Sequence, residues 1–114
     1  MKMPTFISQG RYTHEAIKGM VAAPEDREQA VRHLFESAGG KLLSIYMTFG
    51  ANDWLVIADM PDEQSMLAAM AAVVAGGGVA DTTTVLALKP AEFKKACEQG
   101  GKLRSTFKSA GQHQ

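Results

Sequence analysis

The stretch that most constrains this chain is residues 41–60, "KLLSIYMTFGANDWLVIADM", two apolar runs separated by the four-residue turn Gly50-Ala51-Asn52-Asp53. Read with the two-residue repeat of a β-strand, the first run places Leu43, Ile45, Met47 and Phe49 on one side and Leu42, Ser44, Tyr46 and Thr48 on the other. In the second, Trp54, Val56, Ala58 and Met60 alternate with Asp53, Leu55, Ile57 and Asp59. Both strands therefore carry large side chains on both faces. An antiparallel hairpin with one wet face would alternate apolar with polar. Two-sided burial predicts helices over one face and a second copy of the sheet over the other.

The remaining elements follow from spacing and punctuation. Residues 3–12, "MPTFISQGRY", predict a first strand bounded early by Pro4. Thr13 is a good N-cap, Glu15 complements the first-turn dipole, and Ile17, Met20 and Val21 recur at helical spacing, so a helix begins near His14. Pro24 interrupts it, and "PEDREQAVRHLFESAGG" predicts a second helical piece restarting at Pro24 and ending at Gly39-Gly40. Asp62 caps another helix, whose stripe is Met66, Leu67, Met70, Val73 and Val74, before the glycine triplet 76–78. "VADTTTVLALKP" predicts a last strand, and residues 91–99 a short terminal helix. The order is strand, helix, strand, strand, helix, strand: an α+β, ferredoxin-like βαββαβ unit with an antiparallel sheet. A single domain over residues 1–99 and a flexible tail over 100–114 are expected.

Composition narrows the function classes. Twelve basic and twelve acidic side chains cancel in 114 residues, so no net field draws the molecule to nucleic acid or to an anionic membrane. The longest apolar run, residues 66–75, is half the length of a membrane span. One cysteine, Cys97, cannot form an internal bridge, and the opening "MKMPTFISQGRY" lacks the apolar core of a secretory signal, so a cytoplasmic location is expected. A chain of this size gains stability by self-association, and a homodimer through the sheet face is the expected partner.

With these elements placed, the sequence resembles the GYD domain family, small bacterial proteins grouped with the dimeric α/β barrels. The landmarks run from about Met3 to Lys89: "MPTFIS", Thr13 and Ile17-Lys18, Pro24, "GGKL" at 39–42, Tyr46, "GAND" at 50–53 and "PDEQS" at 61–65. The resemblance implies a ferredoxin-like fold assembled into a dimeric α/β barrel, and no particular reaction. The chain departs from the pattern where the family's eponymous tyrosine aligns with Asn52, while Gly50 and Asp53 remain. A role that needs that phenol is absent or shifted to Tyr46 or Trp54.

Several residues could carry chemistry. Asn52-Asp53 fits a hairpin bend, since asparagine and glycine tolerate positive φ and aspartate caps turns. Alternatively Asp53, beside Trp54, serves as a proton acceptor. His33 lies beside the apolar stripe of its helix as a candidate proton donor; with Glu36 it offers only two metal ligands, and no C-x-x-C or H-x-x-x-H spacing accompanies them, so no metal and no cofactor are expected. "AGGGVA" follows a helix and precedes a strand, the reverse of a phosphate loop. Tyr12, His14, His33, Tyr46, Asn52 and Trp54 are the candidate ligand-binding residues, with Met47, Met60, Met66, Met70 and Phe49 as an adaptable apolar lining. The reading is a binding module for a small apolar or aromatic ligand held between sheet and helices. The alternatives are a cofactor-independent monooxygenase- or isomerase-like enzyme, by analogy with other dimeric α/β barrels, and a purely structural dimer.

Overall fold

The computed structural model describes residues 2–111. In chain order these form β1 (Thr5–Tyr12), α1 (His14–Ala22), α2 (Glu28–Ser37), β2 (Lys41–Met47), β3 (Trp54–Asp59), α3 (Glu63–Ala75), β4 (Val79–Ala87) and α4 (Pro90–Leu103), followed by a 3-10 turn at Arg104–Thr106. The strands make one four-stranded sheet in the order β2-β3-β1-β4. All three pairings are antiparallel, with β1 and β3 central. This is the ferredoxin-like α+β fold expected from the order of elements.

The local chemistry that starts and stops the helices is legible. Thr13 Oγ1 accepts the Ala16 N–H at 3.2 Å to open α1. The Asp62 carboxylate accepts the Ser65 N–H at 2.7 Å to open α3. Each satisfies one of the donors a helix start leaves unpaired. Beyond α3, Gly77 turns the chain at φ +79°, a left-handed conformation that favours glycine.

Register decides which residues form the core. Phe6 pairs with Ala58, Ser8 with Val56 and Leu42 with Ala58, so these side chains share one face. There they pack with Phe35 of α2 and Met66, Ala69 and Met70 of α3. Burying a phenylalanine or methionine of this size stabilises the fold by about 1.5–3 kcal/mol. Ser8 is fully enclosed among them, and its hydroxyl lies 2.9 Å from Thr84 Oγ1, which meets the need of a buried polar atom for a partner.

Four sequence expectations change. The ladder between β2 and β3 shifts register between Leu42 and Ser44, and this bulge breaks strict alternation: Leu42 joins Ile45 and Met47 on the helix face, where alternation had placed Leu43. The second helix starts at Glu28 rather than Pro24, because Asp26 Oδ1 accepts the Glu28 N–H at 2.9 Å and holds residues 24–27 as a loop. On α3, Leu67 and Val74 are 70% and 48% exposed, since Met66, Ala69 and Met70 take the buried side. The terminal helix, expected to close at Gln99, continues to Leu103 through Gly100 and Gly101.

The other sheet face holds Ile7, Leu55 and Ile57, which are half-buried, with Tyr46 opposite Leu55 and the exposed Val85 opposite Ile7. It is an apolar strip with the helical core entirely on the far side. The helix α4 contributes no buried residue, and its main contact is the 3-10 turn that follows it. The radius of gyration is consequently 18.5 Å, against about 13 Å for a compact chain of this length.

Candidate functional site

Between the sheet and the helices lies a cleft of about 620 Å³, walled by α1, α2, α3 and the upper ends of the strands. That volume is in the range of small-molecule sites. Its floor is Ile45, Trp54 and Val56; its sides are Met20, Val31, Leu34, Phe35, Met70 and Val73. It exists because α1 stands off the sheet: that helix contributes no buried residue, and Ile17 and Val21 are exposed.

Trp54 is the most unusual part of the wall. The side chain is 6% exposed, and its Nε1–H has no hydrogen-bond partner among the described residues. A buried donor without an acceptor costs about 1–3 kcal/mol, so it is rare unless the position has a use. The indole fits only because the facing residue on β1 is Gly10.

Tyr12 stands beside it at the mouth. Burial pushes its phenol above the ordinary value of 10.0; Arg27 opposes this, while Asp53 and Glu25 reinforce it. The phenol therefore stays protonated and acts as a donor, and its hydroxyl lies 3.4 Å from Met47 Sδ. Arg27 and Glu25 pair at 2.8 Å on the rim, with Glu15 nearby in the lining. The cleft thus has an apolar interior, one orphan indole donor and a rim carrying both signs of charge.

The hairpin that carries Trp54 is tied down residue by residue. Gly50 takes φ +132° to make the bend. Thr48 Oγ1 donates to the Asn52 carbonyl at 2.7 Å, and the Thr48 N–H donates to the Asp53 carbonyl at 2.9 Å. The Asp53 N–H donates to the Gly10 carbonyl at 2.8 Å, and its carboxylate accepts the Tyr12 N–H at 2.9 Å. Asp53 thereby clamps the hairpin to β1 just where the β1–β4 ladder shifts register between Gln9 and Arg11. Asn52 Nδ2 reaches Gln9 Oε1 at 3.3 Å.

Of the residues singled out in the sequence, the cleft brings together Tyr12, Trp54 and Met70, while Met60 and Met66 lie in the dry core and Met47 lines the adjoining groove. His14 and His33 are exposed on α1 and α2, outside its lining. Tyr46 is 60% exposed on the opposite sheet face. Asn52 belongs to the hairpin, and Asp53 lines an adjoining groove with Phe49, which is fully exposed. Among the described residues no three His, Cys, Asp or Glu side chains converge as a metal site would need. Sequence reasoning missed Arg27, Glu25 and Val73 as lining; the charged pair sits in a loop mistaken for helix. No helix among the described residues is long and apolar enough to cross a membrane.

The chain resembles solved structures of low sequence identity, which speak to fold. MtbAldR aligns at a TM-score of 0.57 and 11% identity, covering 76% of this chain and 54% of its own. A transcriptional regulator from Neisseria meningitidis, solved in complex with L-Met, aligns at 0.54 and 19% identity, covering 76% and 51%. This chain thus spans about half the length of both. A protein from Thermus thermophilus aligns at 0.51 and 18% identity, covering 76% and 95%. A comparison with curated proteins finds no significant match. The GYD domain matches residues 6–97, which takes in the sheet, the cleft and the first half of α4. The chain therefore belongs to the GYD domain family.

Proposed function

We propose that this protein is a homodimeric binding module that holds a small apolar or aromatic molecule in the cleft between sheet and helices, with one acceptor atom on Trp54 Nε1. The observation that carries the reading is that orphan indole donor, nine-tenths buried in the wall of a cleft of about 620 Å³. The occupant is small enough to fit beneath α1 and apolar over most of its surface, and a charged end would find Arg27 or Glu15 at the rim. A structural relative captured with L-Met, an apolar amino acid, is in keeping with a ligand of this size. Dimerisation through the strip of Ile7, Tyr46, Leu55, Ile57 and Val85 would cover the second sheet face, as two-sided hydrophobic strands require.

Binding is favoured over turnover. Tyr12 is held protonated, His14 and His33 face solvent away from the cleft, and of the lining carboxylates Glu25 is engaged by Arg27, while the floor of Ile45, Trp54 and Val56 carries no ionisable group. The test is a titration of the single tryptophan's fluorescence with apolar amino acids, including L-Met, and small aromatic carboxylates. Saturable quenching or a blue shift by one class supports the reading. Silence across the panel up to ~1 mM, near the weak limit of specific recognition, overturns it.

A further inference from the structure

The helix α4 cannot be accounted for within one chain. It has 14 residues, buries none of them, and contains adjacent glycines at 100 and 101. A helix of that length is marginal alone in water, and each interior glycine costs it about 1 kcal/mol more. Yet it is amphipathic: Phe93, Ala96, Cys97, Gly100 and Leu103 fall on one stripe, and Phe93 and Leu103 are 63% and 61% exposed. Such a stripe requires a groove.

The molecule has one of matching chemistry. Next to the mouth of the cleft, Ile17, Met20, Ile45, Met47 and Phe49 form an apolar trough edged by Glu25, Asp26, Glu28 and Asp53, with Arg27 as the cation among them. Residues 90–114 carry five basic and two acidic side chains; they hold a net +3 in a chain whose total is zero, so residues 1–89 hold −3. Arm and body attract.

Reach decides whose groove is filled. Ala87, where β4 ends, pairs with Thr5, whereas the groove lies at the far end of the sheet, where Tyr12 pairs with Val79 and Met47 with Trp54. The seven steps from Thr5 to Tyr12 along β1 put about 23 Å between those ends. From Ala87, two extended residues and the helix as far as Cys97 span only about 18 Å. Only the last member, Leu103, at about 26 Å, comes level with the groove, so the stripe as a whole cannot lie along it.

We propose that α4 is an exchanged arm that lies in this groove of a second copy of the chain, in the manner of an amphipathic helix seated in an apolar trough. The groove shares Tyr12, Met20, Glu25, Arg27 and Ile45 with the cleft, so the arm also closes the mouth of the partner's ligand site. This rests on the dimer proposed above and extends it: each site is completed by a helix from the other subunit.

Cys97 is the only cysteine, exposed on the arm, and makes the test direct. Full-length wild-type protein is mixed with an affinity-tagged Phe49→Cys, Cys97→Ser variant and oxidised; Phe49 is fully exposed, so its replacement spares the fold. The expected product is a covalent heterodimer joining Cys97 to position 49, while a Leu67→Cys, Cys97→Ser control on the outer face of α3 stays unlinked. Sedimentation of the untreated protein runs alongside. A dimer that gives no such bond, or a Phe49→Cys single variant that closes an intramolecular bond to Cys97, overturns the exchange alone. A monomer in sedimentation overturns both the exchange and the dimer.

Discussion

The indole of Trp54 lies against the backbone of Gly10 on the neighbouring strand, so close that a Cβ at residue 10 would stand 2.5 Å from the ring's Cζ2 atom. One absent methyl group thus permits the largest side chain of the cleft to lie flat over the sheet.

Replacing Gly10 with alanine should therefore force the ring outward. Overpacking of this kind costs about 1–3 kcal/mol. Urea denaturation should show the loss, with a red-shifted tryptophan emission as the indole meets water. An unchanged midpoint and spectrum would show that the ring has room to move.

Asp53 and Tyr12 are joined through the backbone, the carboxylate accepting the Tyr12 N–H. Asp53→Ala leaves that amide without its partner and should destabilise by about 1–3 kcal/mol. Asp53→Asn retains an acceptor and should lose less than half as much, with ligand affinity little changed. Equal losses for both variants would mean that charge, not the hydrogen bond, is what matters.

Trp54→Phe removes the orphan Nε1–H and keeps most of the apolar contact. The smaller ring leaves space beside Gly10, so stability should fall by about 1–3 kcal/mol, offset in part by removal of the unpaired donor. Ligand affinity, measured calorimetrically, should fall about fivefold, the equivalent of one hydrogen bond near 1 kcal/mol. Undiminished affinity would exclude Nε1 as a ligand contact.

At the start of α3 the Ser65 backbone N–H holds the Asp62 carboxyl below its ordinary value of 3.8. A carboxylate whose folded pKa is depressed stabilises the fold above the unfolded value and loses that contribution as pH falls through the folded one. Wild-type stability should thus lose this increment below pH 3.8, whereas Asp62→Asn, still a cap, should show a flatter profile there. Denaturation midpoints between about pH 5 and pH 2.5 distinguish them, and parallel profiles would exclude Asp62 as the source.

Much of the fold was legible because its signals are local. The caps Thr13 and Asp62, the Gly76–Gly78 stop and the alternation of β1 and β3 each act through neighbours a few residues away. The misplaced side of Leu43 and the late start of α2 have equally local causes that a repeat cannot show. The bulge near Leu43 exchanges that residue's side for that of Leu42, and the side-chain bond from Asp26 delays α2 to Glu28. Alternation assumes an unbroken ladder, and periodicity ignores competition from a side-chain acceptor.

The sequence by itself determined the order of the elements, the antiparallel sheet and the large apolar side chains on both of its faces, since these depend on the spacing of apolar residues along the chain. Only the tertiary structure decided that Trp54 and Tyr12 share a cleft while Tyr46 lies behind the sheet and His14 and His33 face solvent. It alone showed that α4 buries none of its residues against the described part of its own chain. Cavities and unpaired donors arise where elements distant in sequence meet, and no pattern of neighbours encodes the angle at which α1 stands away from the strands.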